Sequence, residues 1–217
     1  MIKVERLGRL SYAAAQEVMA ERLASRIAGT IPDTLLLCEH DPVYTVGRSR
    51  GAGANVLDAG GVEVVSVRRG GDVTFHGPGQ VVGYPIFALP PHRHDLHGFL
   101  HGLEDALIEA IAGYGVVGGR DARNTGVWVG GRKIAAIGIA CRRWVTWHGF
   151  ALNVDVDLSY FERINPCGMD SGLVTRLVDE VCGPSPTREA AASAAAAAVG
   201  AWWARWTSPV CQDTQAR

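Results

Sequence analysis

Residues 68–84 read RRGGDVTFHGPGQVVGY; the apolar run VEVVSV precedes this stretch and the run VVGYPIFAL begins within it. Four of its glycines stand close together, and they are Gly70, Gly71, Gly77 and Gly79. Such spacing indicates a backbone that needs positive φ or that comes near another group. The rigid Gly-Pro-Gly corner and the polar residues Arg69, Asp72 and His76 favour a ligand-binding loop over a plain turn. We therefore predict that this stretch connects two strands and contributes to a binding site.

Helical periodicity occurs in three segments outside the glycine-rich stretch. Tyr12–Ile27 places apolar residues at helical spacing, and Gly29 follows as a stop. Residues 95–112 begin with Asp as a candidate N-cap and end before Gly113. Residues 187–206 are rich in Ala and contain three Trp. These segments predict three helices, the last of which should pack on the sheet.

Short apolar runs bounded by turn residues predict the strands. The strands are expected at residues 34–39, in VYTVG after the turn at positions 40–42, and at 62–67, 81–89, 125–129, Arg132–Arg142 and 145–154. We interpret residues 48–61 as a loop, 158–164 as a short helix or turn, and 174–178 as helical. Strands with a few helices and no regular βαβ units predict an α+β fold, with mixed or antiparallel sheets flanked by helices.

Length and composition narrow the class of protein. At 217 residues the chain fits one domain, which we place over 1–217 with a frayed tail from about residue 207. The net charge of −1 argues against bulk binding of nucleic acid. No apolar run reaches membrane-spanning length, and the first residues lack the pattern of a signal peptide. We expect a cytoplasmic protein with no membrane or nucleic-acid partner.

The cysteines suggest a reactive thiol and not a disulfide framework. The five cysteines are odd in number and form no CxxC pair, so neither disulfides nor structural zinc is expected. Cys167 differs from the others because Pro166 restricts the backbone before it and Gly168 frees the backbone after it. A sulfur displayed on such a turn is a candidate nucleophile, whereas Cys141 lies mid-strand and is interpreted as packing.

Lysine is scarce in this chain, which draws attention to Lys133. Only Lys3 and Lys133 are lysines among 21 basic residues. A Lys within a strand-like segment suggests an amine that must titrate, which Arg cannot do. Because a free thiol needs a nearby base or cation to ionise at neutral pH, Lys133 could activate Cys167. A core Cys and a surface Lys with no mutual contact remain the alternative.

Two weaker motifs carry no function in this interpretation. Gly113, Gly115 and Gly118 match GxGxxG, but the match follows a helix, whereas a dinucleotide-binding loop follows a strand. Four histidines also cluster, at positions 92, 94, 97 and 101. Without a carboxylate in register or a third well-placed ligand, they are interpreted as solvated or capping, and no metal is predicted.

Four motifs together resemble the lipoyl(octanoyl) transferase family of lipoate biosynthesis. They are RGGDVTFHGPGQVVGYPI from Arg69, GVWVGGRKIAAIGI from Gly126, WHGFALNVDVDL from Trp147 and INPCG from Ile164. The resemblance covers residues 34 to about 178, in order and at family-like separation. Four ordered motifs form a much more specific signal than any single one.

The resemblance implies the fold of the biotin and lipoate ligases. It also implies transfer of octanoyl, without a cofactor, from octanoyl-acyl carrier protein to a lysine of lipoyl domains in 2-oxoacid dehydrogenase subunits or of the glycine-cleavage H protein. Cys167 is then the acyl nucleophile and Lys133 its partner. The implied substrate-binding residues are Arg69, Gly70, Gly71, Asp72, Val73, Thr74, Phe75, His76, Ala136, Ile137, Gly138, Gly149, Phe150 and Ala151.

The residue types suit these roles. We expect Gly70, Gly71 and Gly138 to let the backbone approach the acyl thioester. Ile137 and Phe150 would line a tunnel for the acyl tail, which gains about 0.8 kcal/mol for each buried methylene. His76 would orient the dyad or bind the carbonyl.

Two other functions compete with acyl transfer. One is an ATP-dependent lipoate or biotin ligase of the same implied fold, which would not need the framed Cys167. The other is a non-catalytic module that binds acyl carrier protein and retains the pocket.

Overall fold

The computed structural model describes residues 1–165 and 171–208. A seven-stranded sheet has the order β1-β2-β6-β10-β9-β8-β7, and a three-stranded sheet has the order β4-β3-β5. The strands are β1 (Lys3–Leu10), β2 (Thr34–His40), β3 (Val43–Val46), β4 (Glu63–Ser66), β5 (Val73–His76), β6 (Gln80–Ile86), β7 (Gly119–Asp121), β8 (Asn124–Val129), β9 (Arg132–Arg142) and β10 (Val145–Asn153). The helices are α1 (Tyr12–Ile27), α2 (Leu96–Ala112), α3 (Leu177–Glu180) and α4 (Arg188–Thr207).

Both sheets are mixed, as the α+β interpretation predicts. The pairs β1–β2 and β3–β4 are parallel, and the other neighbouring strands are antiparallel. Within the described part of the chain, no helix is long and apolar enough to cross a membrane.

Helix α1 covers one face of the large sheet and has the predicted bounds. The side chain of Ser11 accepts a hydrogen bond from the backbone N–H of Ala14, which caps the first turn. Ala15, Met19 and Leu23 recur every four residues and are buried against the sheet. The local pattern of cap and apolar stripe thus suffices to define this helix.

Helices α2 and α4 cover the opposite face. Asp95 caps α2 by accepting from the N–H of Gly98, as predicted. Gly102 lies against the indole of Trp202, so the two helices approach closely. Trp203 reaches the sheet, where its ring centroid lies 4.7 Å from that of Phe87. The prediction that the Ala-rich helix packs on the sheet is therefore confirmed, although its main neighbour is α2.

Several sequence predictions differ from the structure. The glycine-rich stretch was predicted only to connect two strands, but it contains strand β5. Strands β1 and β7 were not predicted, because both are edge strands with charged residues and no clean apolar alternation. Residues 174–178 are not one helix, since Val174 pairs with Lys133 and α3 begins only at Leu177. The loop at 48–61 contains a 3₁₀ turn at Ala52–Asn55. Helix α4 continues through Thr207, and residues 209–217 of the predicted tail lie outside the described residues.

Candidate active site

A cavity lies between the glycine-rich stretch and the face of the large sheet that α2 and α4 leave uncovered. Its floor consists of small residues of β9 and β10, namely Ala136, Gly138, Gly149 and Ala151. Ile137 and Phe150 also border the cavity, but their side chains pack in the core on the opposite face, with α2 and α4, so the predicted lining of the tunnel by these two side chains is wrong. The predicted residues from the glycine-rich stretch that line the cavity are Arg69, Gly71, Asp72, Val73, Thr74 and His76.

Gly70 and Phe75, which were also predicted to bind substrate, do not line this cavity. The N–H of Gly70 donates to the carbonyl of Ile139 over 2.9 Å, which docks the loop on β9. Phe75 is fully buried on the other side of β5, stacked on Tyr160 with centroids 4.3 Å apart. Because side chains alternate along a strand, a contiguous range of residues cannot all face one pocket.

Gly138 has a different partner from the one predicted. A Cβ at this position would lie 2.9 Å from the carbonyl oxygen of Gly70 and 3.1 Å from Cδ of Arg69. Glycine is therefore needed here so that the glycine-rich loop can lie directly on β9. Gly71, by contrast, has a φ of 84°, which is a conformation that favours glycine.

Arg69 holds the glycine-rich loop in place. Its guanidinium donates to the carbonyl of Thr45 over 2.7 Å, to the Thr45 hydroxyl over 2.9 Å and to the carbonyl of Asp72 over 2.7 Å. The Asp72 carboxylate accepts from the Asn55 side chain over 2.7 Å. These bonds order the wall of the cavity, so the predicted contact residues Arg69 and Asp72 also have a structural role.

Lys133 lies near the start of β9, lines the cavity and is 9% exposed. Its Nζ is 5.5 Å from the ring centroid of Trp128, a cation–π geometry. A Cβ on Gly126 would lie 3.2 Å from that Nζ, and Gly126 has a φ of 143°. The absence of a side chain at Gly126 therefore leaves the space through which the lysine chain passes.

Cys167 lies outside the described residues, but the chain on both sides of it is described. Ile164 pairs with Val56, and the N–H of Asn165 donates to the carbonyl of Asn55 over 2.8 Å. On the other side, Val174 pairs with Lys133. The ends of the segment that carries the thiol are thus anchored beside the second sheet and beside Lys133.

Sequence reasoning missed a group of buried polar residues around the cavity. The imidazole of His40 donates from Nδ1 to the carbonyl of Leu10 over 3.2 Å and accepts at Nε2 from the Tyr84 hydroxyl over 2.6 Å. Tyr12, which was also missed, stacks on the predicted residue His76, with ring centroids 6.1 Å apart. A polar residue inside an apolar strand, such as Tyr84 in VVGYPI, was the signal that could have revealed this group.

Burial keeps the histidines of this region neutral. It lowers the pKa of His40 to about 4, against a small opposing effect of the bond to Leu10. It also lowers the pKa of His148 to about 4, and the positive charge of Arg69 acts in the same direction. The pKa of His76 lies well below its ordinary value, again mainly because of burial. Near neutral pH these rings therefore act as hydrogen-bonding groups and not as cations.

A second set of missed residues links the cavity wall to the lysine strand. The Gln80 amide donates to the side-chain oxygen of Asn153 over 2.9 Å, and Asn153 donates to the carbonyl of Thr175 over 2.9 Å. The N–H of Thr175 in turn donates to the carbonyl of Lys133 over 2.9 Å. Gln80 and Asn153 are both buried, so this chain of bonds is shielded from water.

The four clustered histidines lie before α2 and in its first turns. His92, His94, His97 and His101 are all exposed. His94 stacks on Trp144 with ring centroids 3.9 Å apart. Among the residues that the structure describes, no group of three or more His, Cys, Asp or Glu could hold a metal ion.

Comparison with known proteins shows the family of this chain. The chain is 52% identical to an octanoyltransferase of Geobacter metallireducens over 171 residues, which are 79% of each chain. It is 52% identical to an octanoyltransferase of Rubrobacter xylanophilus over 188 residues, covering 83% of this chain and 84% of the other. The chain belongs to the octanoyltransferase family. Residues 11–199 also match the family described as the lipoyl protein ligase A/B catalytic domain.

Solved structures of lipoate and biotin protein ligases confirm the predicted fold. A lipoate protein ligase from Thermoplasma acidophilum superposes with a TM-score of 0.71 at 14% identity, covering 93% of this chain and 83% of the other. A biotin protein ligase from Leishmania major superposes with a TM-score of 0.57 at 13% identity, covering 95% and 76%. At this level of identity the likeness shows the fold alone. The resemblance seen in the four sequence motifs is confirmed by the relatives at about half identity.

Proposed function

We propose that this enzyme moves an octanoyl group from octanoyl-acyl carrier protein to a lysine amine of lipoyl domains in lipoate biosynthesis, through a thioester on Cys167. The observation that supports it most is the buried Lys133, at a cavity floored by small residues, in a member of the octanoyltransferase family. The acceptors are the lipoyl domains of 2-oxoacid dehydrogenase subunits and the glycine-cleavage H protein.

The reaction consists of two acyl transfers. The Cys167 thiol loses its proton to the Lys133 amine and attacks the thioester carbonyl; the bond to the carrier thiol breaks, and that thiol leaves with a proton. The acceptor lysine, as a free amine, then attacks the Cys167 thioester. The amide forms, the C–S bond breaks, the proton of the amine is taken up by Lys133 or solvent, and Cys167 is restored.

The surroundings of Lys133 support its role as proton acceptor. The side chain is nearly buried and lines the cavity, so its amine lies where the acyl group would be bound. The face of Trp128 and the space over Gly126 hold the chain along β9. Val174, which follows the cysteine segment, pairs with the lysine backbone. A Lys to Arg change would keep a cation here but remove a base that titrates.

The cavity suits an alkyl chain. Ala136, Gly138, Gly149 and Ala151 give a floor of small residues without polar side chains. Each methylene of an octanoyl group buried there contributes about 0.8 kcal/mol of binding. We propose that the other predicted residues that line the cavity also contact the substrate, and that Gly70 acts only through the loop that it docks on β9.

Exposed arginines would bind the acyl carrier protein and the lipoyl domain. Arg48 and Arg50 follow β3, and the N–H of Arg48 donates to the carbonyl of Arg69 in the cavity wall over 3.2 Å. Arg142 and Arg143 stand at the β9–β10 turn, and all four are exposed. Such charges steer an acidic carrier protein or lipoyl domain to the cavity. No nucleic-acid or membrane partner is proposed.

We place the activity in one catalytic domain and in the cytoplasm. The cysteines in the described part of the chain, Cys38, Cys141 and Cys182, are free thiols, which fits a reducing compartment.

Intact-protein mass spectrometry after mixing with octanoyl-acyl carrier protein tests the proposal. Wild-type protein should gain one octanoyl group, which a lipoyl-domain lysine then removes. Cys167→Ser should gain no thioester. Lys133→Ala and Lys133→Arg should both acylate at least about tenfold more slowly, because neither side chain accepts the thiol proton at neutral pH.

Two outcomes would refute the proposal. Transfer that requires ATP and free octanoate would indicate a ligase. Binding of the carrier protein without any transfer, unchanged in Cys167→Ser, would indicate a non-catalytic module. Circular dichroism of each variant separates lost chemistry from a lost fold.

A further inference from the structure

His148 is a buried residue with unusual features. It is 1% exposed, and neither ring nitrogen has a hydrogen-bond partner among the residues that the structure describes. Its φ of 56° lies in the left-handed region, which is uncommon for a residue other than glycine. A buried polar group without a partner and a strained backbone are both unfavourable, so their coincidence on a cavity wall indicates a functional position.

The register of the strands places His148 at the opposite end of the cavity from Lys133. His148 pairs with Ile139 on β9, whereas Lys133 is near the start of that strand. The lysine Nζ lies beside Gly126, which pairs with Ala136. From Ala136 to Ile139 is a distance of about 10 Å along a strand. An extended octanoyl chain has a comparable length.

The two ends of the cavity differ in polarity. Between them the floor is made of glycine and alanine. At the far end, Arg69, whose charge acts on His148, and Tyr84, which follows the residue paired with Phe150, join His148 in the lining. The ring of His148 is neutral because burial and Arg69 lower its pKa, so it offers one N–H donor and one acceptor.

Hydrocarbon cannot satisfy either nitrogen of this ring. An alkyl chain that stops short of His148 leaves the ring open to a small hydrogen-bonding group. A longer chain places methylenes against both nitrogens and leaves them without hydrogen-bond partners. The cost of these unsatisfied polar groups offsets the free energy gained by burying the additional carbons.

We propose that His148 is a specificity-determining residue that forms a polar end wall of the acyl tunnel, so that the enzyme discriminates against chains longer than octanoyl and accepts a hydrogen-bonding group at the chain terminus. The inference rests on the proposed function, because it takes the acyl group to start near Lys133. It names the ligand class that fits the far end, namely a medium acyl chain with either a plain methyl or a polar terminus.

Relative kcat/KM values for octanoyl-, decanoyl- and 8-hydroxyoctanoyl-acyl carrier protein test this inference. Wild-type enzyme should use the decanoyl donor at least about tenfold less well than the octanoyl donor and tolerate the hydroxyl. His148→Leu should raise the decanoyl/octanoyl ratio about tenfold and lower the 8-hydroxyoctanoyl/octanoyl ratio by a similar factor. His148→Asn keeps a donor and an acceptor and tolerates positive φ, so both ratios should stay near wild type.

Ratios of donors within one variant are unaffected by a general loss of active enzyme, so a merely structural role of His148 would leave them unchanged. Equal ratios in wild type and His148→Leu would overturn the inference. If His148→Leu does not fold, the wild-type ratios decide: equal use of decanoyl and octanoyl donors overturns it. Absence of any octanoyl transfer by wild type would instead refute the proposed function.

Discussion

Acidification should destabilise this protein through its buried histidines. His40 and His148 have an ordinary pKa of 6.5 and a folded pKa of about 4. Because the folded pKa is depressed, the unfolded chain binds more protons between these values, and stability falls as the pH falls below 6.5. The loss is complete only below about pH 4, once both states are protonated.

The size of the effect follows from the two pKa values. Near pH 5 the unfolded imidazole is almost fully protonated, whereas the folded one is about one-tenth protonated. The difference corresponds to roughly 2 kcal/mol for each histidine relative to pH 7.5, or about 4 kcal/mol for His40 and His148 together. His76, whose pKa is also lowered by burial, acts in the same direction. Most ordinary carboxylates titrate below this pH window.

Urea unfolding followed by tryptophan fluorescence at about pH 7.5 and about pH 5 measures this loss. His148→Asn should reduce the pH-dependent change in unfolding free energy by roughly 2 kcal/mol. His92→Asn, which replaces an exposed histidine, should leave the change as in wild type. If His148→Asn retained the full pH dependence, the inference that this ring is neutral and buried in the native state would be refuted.

Three further substitutions test other parts of the structure. Gly126→Ala places a methyl group against the side chain of Lys133 at a φ of 143°. We therefore expect the free energy of unfolding, measured by urea denaturation, to fall by about 1–3 kcal/mol, and turnover to fall clearly. The control Gly119→Ala adds a methyl group with no neighbour within 4 Å, so it should change neither the unfolding free energy nor turnover. Normal turnover in Gly126→Ala would contradict the packing of Gly126 against Lys133. Asn153→Ala removes the amide that donates to the carbonyl of Thr175, next to the lysine strand. This change should lower the free energy of unfolding by about 1–3 kcal/mol and slow acylation of the enzyme. Asp33→Ala removes the acceptor of a tryptophan of α4 and an arginine of α1, and should cost about 1–3 kcal/mol with little effect on turnover; an unchanged urea midpoint would count against these contacts.

Elements with strong local signals were predictable. Tyr12–Ile27 has a capping serine and an apolar stripe, and its predicted and observed bounds agree. Arg132–Arg142 follows a Gly-Gly turn and was also predicted with its observed bounds. Strand Lys3–Leu10 was not predicted, because an exposed edge strand needs no continuous apolar pattern. Local chemistry decides the first two elements, whereas pairing with a distant strand decides the third.

The candidate site was predictable as a set of segments but not as a geometry. The glycine-rich stretch and the lysine strand were identified as cavity-forming segments, yet strand alternation turns Phe75 away from the cavity. Tyr12 and His148 were not predicted to line it. These two residues are far apart in sequence, and only the packing of α1 against β10 of the large sheet brings them to the same cavity.

The sequence by itself determined the family, the α+β class and the order of most elements, because motif order, caps and periodicity are local properties of the chain. Only the tertiary structure decided which side chains of each strand face the cavity, that Gly138 accommodates the glycine-rich loop, and that His148 is neutral and unpartnered among the described residues. The physical reason is that burial, desolvation and register depend on strands that are distant in the sequence.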